Sequence, residues 1–475
     1  MNVGLRNTLL KGTAPASVGL LCLAVLCSGC RTYDQQVREI RTAYQAGNYG
    51  QAADLVSKRL EGVREGRDEL IWTLEAATLM RSAGRQEESS SAFGRADAIY
   101  EDYQQKAKVS IGSESLSLLT NPAKLPYRGR SYDGIMISVY QALDALCKGD
   151  GEAARVFINR TYQRQQDAVA DHAAKIEKEQ EQIKSNKDLS KTMENPKFNE
   201  ALSRLSAADE GLEAYADYVN PFAVYLDGLY HWNAGVDQSD VQRAQKCFER
   251  VMAFAPDNPY VKEDFESAMK AAAPNAGAPV CYVLFETGSA PSRDAVRIDI
   301  PILVTRVSYV GVSFPKLVKH GEFVPALTVE AGAVSKQTQR VASMDAIIAQ
   351  DFKNELPSII ARATASAVAK AAAAYALNTA AKQAGGDGAA LAAQIMTAAY
   401  QIAMNVADTR TWNTLPKEFQ VCKVAIPEGR RIALAVPEQG WRQELTLNEG
   451  NVVVVWAKAV AQSRHMTVTQ FAIKK

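Results

Sequence analysis

Two short stretches concentrate polar and aromatic side chains of the kind that do chemistry. "FETGSAPSR" (285–293) carries Glu286 and Arg293, and "ADTRTWNTLP" (407–416) carries Asp408, Arg410 and Trp412 at alternate positions. Two carboxylates brought together by folding can divide general acid and general base roles between them. The same carboxylates beside guanidinium groups form charge-assisted bonds instead, and a tryptophan face offers an arginine a stacking partner. The second arrangement is the more ordinary, so the expectation is a structural clamp, with a ligand site as the sharper alternative. A third stretch, "LCLAVLCSGC" (21–30), sets Cys27 and Cys30 at the C-x-x-C spacing of redox and metal sites.

Other signals of chemistry are missing. The chain shows no G-x-S-x-G, H-E-x-x-H or G-x-x-x-x-G-K-[ST]. "AGGDGAA" (384–390) is glycine-rich but lacks the lysine and the preceding strand that phosphate binding needs. Beyond residue 30 the cysteines (Cys147, Cys247, Cys281, Cys422) and the histidines (His172, His231, His320, His465) lie far apart, against the close spacing of zinc sites. Neither an enzyme nor a cofactor or metal is expected. The formal net charge is +1, which gives no overall field to draw nucleic acid.

The elements that position these residues begin after an address label. Arg6 and Lys11 precede an apolar run from Val18 to Leu26, and small residues follow, the layout of a secretory signal. "LCSGC" resembles a bacterial lipobox, with Cys27 where a larger aliphatic residue is usual. The resemblance implies cleavage after residue 29, acylation of Cys30 and anchorage of the chain to a membrane by lipid. In enterobacterial sorting an aspartate after the cysteine retains the protein in the inner membrane. By that resemblance Arg31 implies the outer membrane.

Residues 30–270 read as helical. Gly47–Ala52, Gly84–Phe93–Ala96, Gly149–Ala153–Ala154 and Gly228–Ala244–Phe248–Val251–Pro256 form a degenerate repeat resembling tetratricopeptide helix-turn-helix units. In that reading the glycine and alanine let paired helices approach and the aromatic fills the gap between them. Such repeats imply a concave surface for protein partners. A charged helical insertion near 165–215 keeps a stripe of Val169, Ala173, Ile176 and Ile183, with Leu202, Leu205 and Leu212 returning along it, and predicts a projecting hairpin.

A linker, "AAAPNAGAP" (271–279), precedes a change of period. Strands are predicted over 280–288, 296–304, 308–318, 325–332, 419–426, 430–436, 442–448 and 451–460, in the spacing of a β-sandwich. Between the two groups, 343–408 reads as an Ala-rich helical hairpin turning at 384–388. Its second arm lacks charge up to Asp408, but Gln394, Thr397, Gln401 and Asn405 favour a packed helix over a membrane span. Cys281 and Cys422 fall in predicted strands, where a bond between them and two free thiols are equally consistent with the sequence.

Taken together, the helical repeats, "FETGSAPSR", and "ADTRTWNTLP" followed by "VAIPEGR" resemble an uncharacterised family of bacterial envelope lipoproteins. The resemblance implies an α+β multidomain chain, helical repeats first and a β-rich half after, facing the periplasm. It also implies partners in the cell-wall synthesis machinery, through gene neighbourhoods shared with activators of peptidoglycan synthases. The expected function is an outer-membrane lipoprotein scaffold whose repeats bind envelope proteins. The rivals are an enzyme acting on an envelope polymer through Glu286 and Asp408, and a membrane-active or secretion-channel component using the Ala-rich hairpin.

Overall fold

The computed structural model describes residues 33–63, 65–109, 122–185, 187–206, 219–271, 279–301, 309–404, 406–461 and 465–474. The expected signal segment with Cys30, and residues 272–278 of the expected linker, lie outside them, as does Leu212. Residues Met1–Arg38 separate from Glu39–Lys475; of the first group only the opening turns of helix α1 (Tyr33–Gln45) are described. The rest concerns Glu39–Lys475, in which helices come first and strands after.

Helices α2 (Tyr49–Glu61), α3 (Glu69–Ser82), α4 (Gln86–Val109), α5 (Ser131–Cys147) and α6 (Gly151–Ser185) follow α1. Three of the repeat glycines close turns between them. Gly47, Gly84 and Gly149 have φ of 78°, 76° and 73°, a left-handed conformation that costs a residue with a Cβ about 1–2 kcal/mol. Each turn repeats one pattern of bonds. Arg85 N donates to Met80 O at 2.8 Å and Gly84 N to Arg81 O at 2.9 Å, with counterparts at Asn48 and Asp150. This is a Schellman C-cap, which satisfies the last carbonyls of the preceding helix. The expected reason for these glycines, close helix approach, holds at Gly228 and not at Gly84 or Gly149, where a Cβ would meet nothing within 4 Å. A Cβ at Gly228 would lie 2.9 Å from Phe248 Cε1 and 3.0 Å from Cys247 Cβ. Gly228 belongs to α9 (Pro221–Ala234), which pairs with α10 (Gln238–Met252) and is followed by α11 (Pro259–Met269). Asn220, Asp237 and Asn258 start these three helices, each accepting two backbone N–H groups.

The strands form three sheets. The largest runs β11 (Thr467–Lys474), β10 (Val452–Ala459), β1 (Val280–Thr287), β7 (Glu418–Ala425), β6 (Gln339–Ser343). β1 and β10 pair in parallel and the other neighbours are antiparallel. β2 (Ser292–Pro301) and β3 (Tyr309–Val318) form a two-stranded sheet, and β5 (Val334–Gln337), β4 (Thr328–Ala331), β8 (Arg431–Val436) and β9 (Trp441–Thr446) the third. Every residue of β1 and β10 is buried, because both faces of this sheet are covered.

The register says by what. Tyr282, Leu284 and Glu286 of β1 stand beside Val454, Trp456 and Lys458 of β10 and Lys423, Val421 and Phe419 of β7. This face meets helices. Tyr140 of α5 donates to Glu286 at 3.2 Å. Phe222 of α9 stacks on Phe419 with centroids 4.0 Å apart. Asp264 of α11 accepts from Tyr282 and Tyr225, both at 2.9 Å. Helices α3, α5 and α9 therefore lie between their partner helices and the sheet. All of α3, Tyr132–Leu146 of α5 and Pro221–Asn233 of α9 are buried. The opposite face, through Gln420, bonds Thr338 at 2.6 Å and the Pro325 carbonyl at 2.9 Å.

The charged insertion is α6 followed by α7 (Lys187–Met193) and α8 (Pro196–Ser206). Its return does not project. Phe198, fully buried, joins Ile298, Ile300, Val310, Val312 and Phe314 of β2–β3, with Met193 and Leu202 packed alongside. One aromatic among charges decides this, since burying a phenylalanine contributes about 1.5–3 kcal/mol.

Ala367, Val368 and Ala371 complete that cluster from α12 (Met344–Met404), a helical run of 61 residues. The non-helical turn expected at 384–388 is absent. Each glycine there costs a helix about 1 kcal/mol, and the surrounding alanines favour it. The run still cannot be a straight rod. From Glu355 to Met404 a rod would extend about 73 Å. Arg130 bonds both Glu355 and, at 3.3 Å, the Arg410 carbonyl. That bridge holds the two backbones within about 15 Å, and the chain from Met404 to Arg410 reaches about 22 Å at most. The run therefore bends, and Pro357 and the glycines Gly385, Gly386 and Gly388 lie within it. Among the described residues, no helix is long and apolar enough to cross a membrane.

Candidate functional site

The singled-out residues fall into three centres along the junction of α3, α5, α12 and the sheet. Glu286 occupies the first. Lys458 stands directly opposite it in register, with Nζ 3.0 Å from Oε2, and Trp456 Nε1 donates to Oε1 at 2.9 Å. Glu286 is 1% exposed, and its two oxygens are taken by three donors from within the chain. Burial alone would push the Lys458 ammonium down; the Glu286 carboxylate outweighs it and holds Lys458 above its ordinary value. Arg81 lies over the Trp456 ring at 3.4 Å and pairs with Asp144.

Trp412 occupies the second centre. Its Nε1 donates to Thr78 Oγ1 at 2.9 Å and Thr414 Oγ1 at 3.0 Å. The expected tryptophan-on-arginine stack does not form. Trp412 packs against Phe93 and Tyr140, at 6.2 and 6.0 Å, and Arg410 lies over Tyr127 at 5.6 Å instead. Alternation puts residues 410 and 412 on one side only in an extended chain, and no strand is formed here. Buried Glu75 of α3 receives Asn413 N and Thr414 Oγ1, both at 2.7 Å.

The third centre joins Asp408, Arg410 and Arg293 through intermediaries. Arg410 grips Asp408 with two bonds, at 2.8 and 2.7 Å, and donates to Asp68 and the Leu125 carbonyl at 2.8 Å. Burial would raise the Asp408 carboxyl, but the bonds from Arg410 hold it below its usual range. Arg293 of β2 lies 4.9 Å from the Phe352 ring centroid and donates to Glu355 at 3.0 Å. Arg130 shares Glu355 and reaches the Arg410 carbonyl, which closes the chain of contacts.

Glu286 and Asp408 thus belong to separate centres, each saturated by its own cations, and do not make a carboxylate pair. One tie between the helical run and a sheet passes through Arg293 of β2 and Glu355 of α12, and a second set of ties goes to a helix. Residues 408–414 fasten to α3 through Glu75 and Thr78, and to Asp68 just before it. Sequence reasoning missed Glu75, Arg81, Lys458, Arg130, Asp133, Asp351 and Glu355. Two carried a readable signal, a lone charge in an apolar run: Glu75 in "ELIWTLEAATLM" and Lys458 in "VVVVWAKAV".

Among the described residues, the thiols of Cys147, Cys247, Cys281 and Cys422 are free. Cys281 faces Val424 and Cys422 faces Val283, so the two cysteines are diagonal neighbours, about 7–8 Å apart and beyond ordinary disulfide reach. Burial pushes the Cys281 thiol up to about 12 and Cys147 to about 11, far from the thiolate that reacts. Among the described residues, no group of three or more His, Cys, Asp or Glu side chains is placed to hold a metal ion. No family model, no curated protein and no solved structure matches the chain.

Proposed function

We propose that the protein is an outer-membrane lipoprotein facing the periplasm, anchored through Cys30 and acting as a protein-interaction scaffold in the envelope. The observation that carries the anchor is "LCSGC" behind a basic, then apolar, leader. The scaffold reading rests on the helical pairs, which we read as degenerate tetratricopeptide-like units, and on polar centres saturated from within. The larger and the four-stranded sheets, bordering each other at β7, we read as a sandwich-like pair. Partners of the cell-wall synthesis machinery remain the direction the family resemblance gives.

The packing changes where a partner would dock. The inner face of α3, α5 and α9, which a repeat array would offer, is filled by the chain's own sheet. The outward side chains of α6, such as Tyr162 and Val169, and of α12, such as Tyr375 and Leu377, are the exposed apolar positions on these helices.

Photo-crosslinking in whole cells tests this, with the crosslinker at 162, 169 or 377 and, as control, at buried 140. Envelope proteins captured from an outward position and not from 140 are expected, with an acyl group on Cys30 by mass spectrometry. An unmodified Cys30 removes the anchor; no capture from any outward position removes the scaffold.

A further inference from the structure

The root of α12 holds a buried carboxyl, that of Asp351, with one oxygen that receives no hydrogen bond. Glu355 receives both nearby guanidinium groups, Arg130 from the segment before α5 and Arg293 from β2. Asp351 stands one turn away on α12, 4% exposed, with Arg293 Nη2 at 4.0 Å and no hydrogen bond to Oδ2. From α5, Asp133 accepts from Tyr127 at 2.6 Å and from Arg130 N at 2.8 Å through Oδ2, while its buried Oδ1 has no partner. Three carboxyls therefore meet two guanidinium groups. The other charges around them are committed elsewhere. Arg410 is held by Asp408 and Asp68, Arg164 of α6 by Asp97 and Glu101, and Lys417 by Asp345 of α12. Tyr100 of α4 and Tyr132 of α5 add only neutral phenols, whose ionisation burial opposes.

We propose that this cluster is a pH-operated latch: with a proton on Asp351 it fastens the root of α12 to α5 and β2, and loss of that proton leaves an uncompensated buried carboxylate that loosens the root. An unpaired ion in such a place is costly, and neutralisation by a proton is the ordinary escape. Burial first, then the charge of Glu355, pushes Asp351 up to about 7, and burial pushes Asp133 up to about 6. Because these values lie above the ordinary 3.8, the folded chain binds more protons than the unfolded one. The stabilisation is present at low pH and is lost as pH rises through about 7, then stays level.

The test compares the full chain with Asp351→Asn, whose amide mimics the protonated carboxyl, in Tm and in amide exchange over residues 344–365. For the wild type, Tm is expected to fall from about pH 5 to about pH 8, with faster intrinsic-rate-corrected exchange at the root and unchanged exchange in β10. In the variant most of the fall and the change in exchange should vanish. An equal fall in both chains overturns the latch, as does a wild-type root whose protection ignores pH. Should Asp351→Asn not fold, carboxyl-carbon NMR of the wild type decides. An Asp351 signal titrating near neutrality supports the latch, and one titrating below about pH 5 overturns it.

Discussion

The Glu286 centre and the Asp351 centre are both buried junctions of helix and sheet, yet they solve the same electrostatic problem differently. Glu286 has one ammonium opposite it in register and two neutral donors, so every lone pair that matters is used. Asp351 competes with Glu355 for arginines and loses. Strand register fixes the first pairing as rigidly as it fixes the sheet. The second depends on long side chains reaching from three elements toward one helix. A matched interior pair gives a fixed joint, and a surplus carboxylate gives one that responds to protons.

The comparison is most directly broken at Lys458. Lys458→Met leaves Glu286 buried without its cation, and should cost about 3–5 kcal/mol in urea unfolding. Adding Glu286→Leu should recover only part of that loss, because it removes the unpaired charge but leaves Trp456 Nε1 and the Tyr140 hydroxyl without their acceptor. Trp412→Phe, at the neighbouring centre, keeps the packing and removes the indole donor, while the Thr78 and Thr414 hydroxyls keep their own bonds to the Leu74 carbonyl and Glu75. A loss of about 0.5–1.5 kcal/mol is expected. At the Asp351 centre the sign reverses. Asp351→Asn should stabilise the chain at pH 8, on the order of 1 kcal/mol, and by less at pH 5. Last, the exposed side chain of Arg442 pairs with Glu330 and Glu444 on the four-stranded sheet. Arg442→Ala should leave the unfolding midpoint unmoved, since solvent and salt screen such pairs.

Much of the architecture could be read from periodicity. All eight predicted strands are present, and the helical pairs begin and end close to the repeat glycines. The strands that escaped notice, β5, β6 and β11, are short or alternate with polar residues, so their pattern competes poorly with that of loops. The site was legible in its members and not in its connections. Glu286 and Asp408 looked like partners because both are acidic and flanked by arginines. What separates them is strand register, which assigns Glu286 to Lys458, and a two-residue turn, which assigns Asp408 to Arg410. Phe198 shows the same limit. Its surroundings in sequence are charged, and only the β2–β3 sheet, far along the chain, supplies its apolar company.

The parallel pairing of β1 with β10 has a kinetic consequence. The helices are made first, but the sheet that covers their inner faces has its centre at β1, β7 and β10, and β10 is made long after them. Until then α3, α5 and α9 hold apolar faces with nothing to close on. The loop closed by that pairing spans most of the strand-bearing half, which favours slow, late and concerted folding. A nascent chain stopped before Val452 should stay open, protease-sensitive and prone to association.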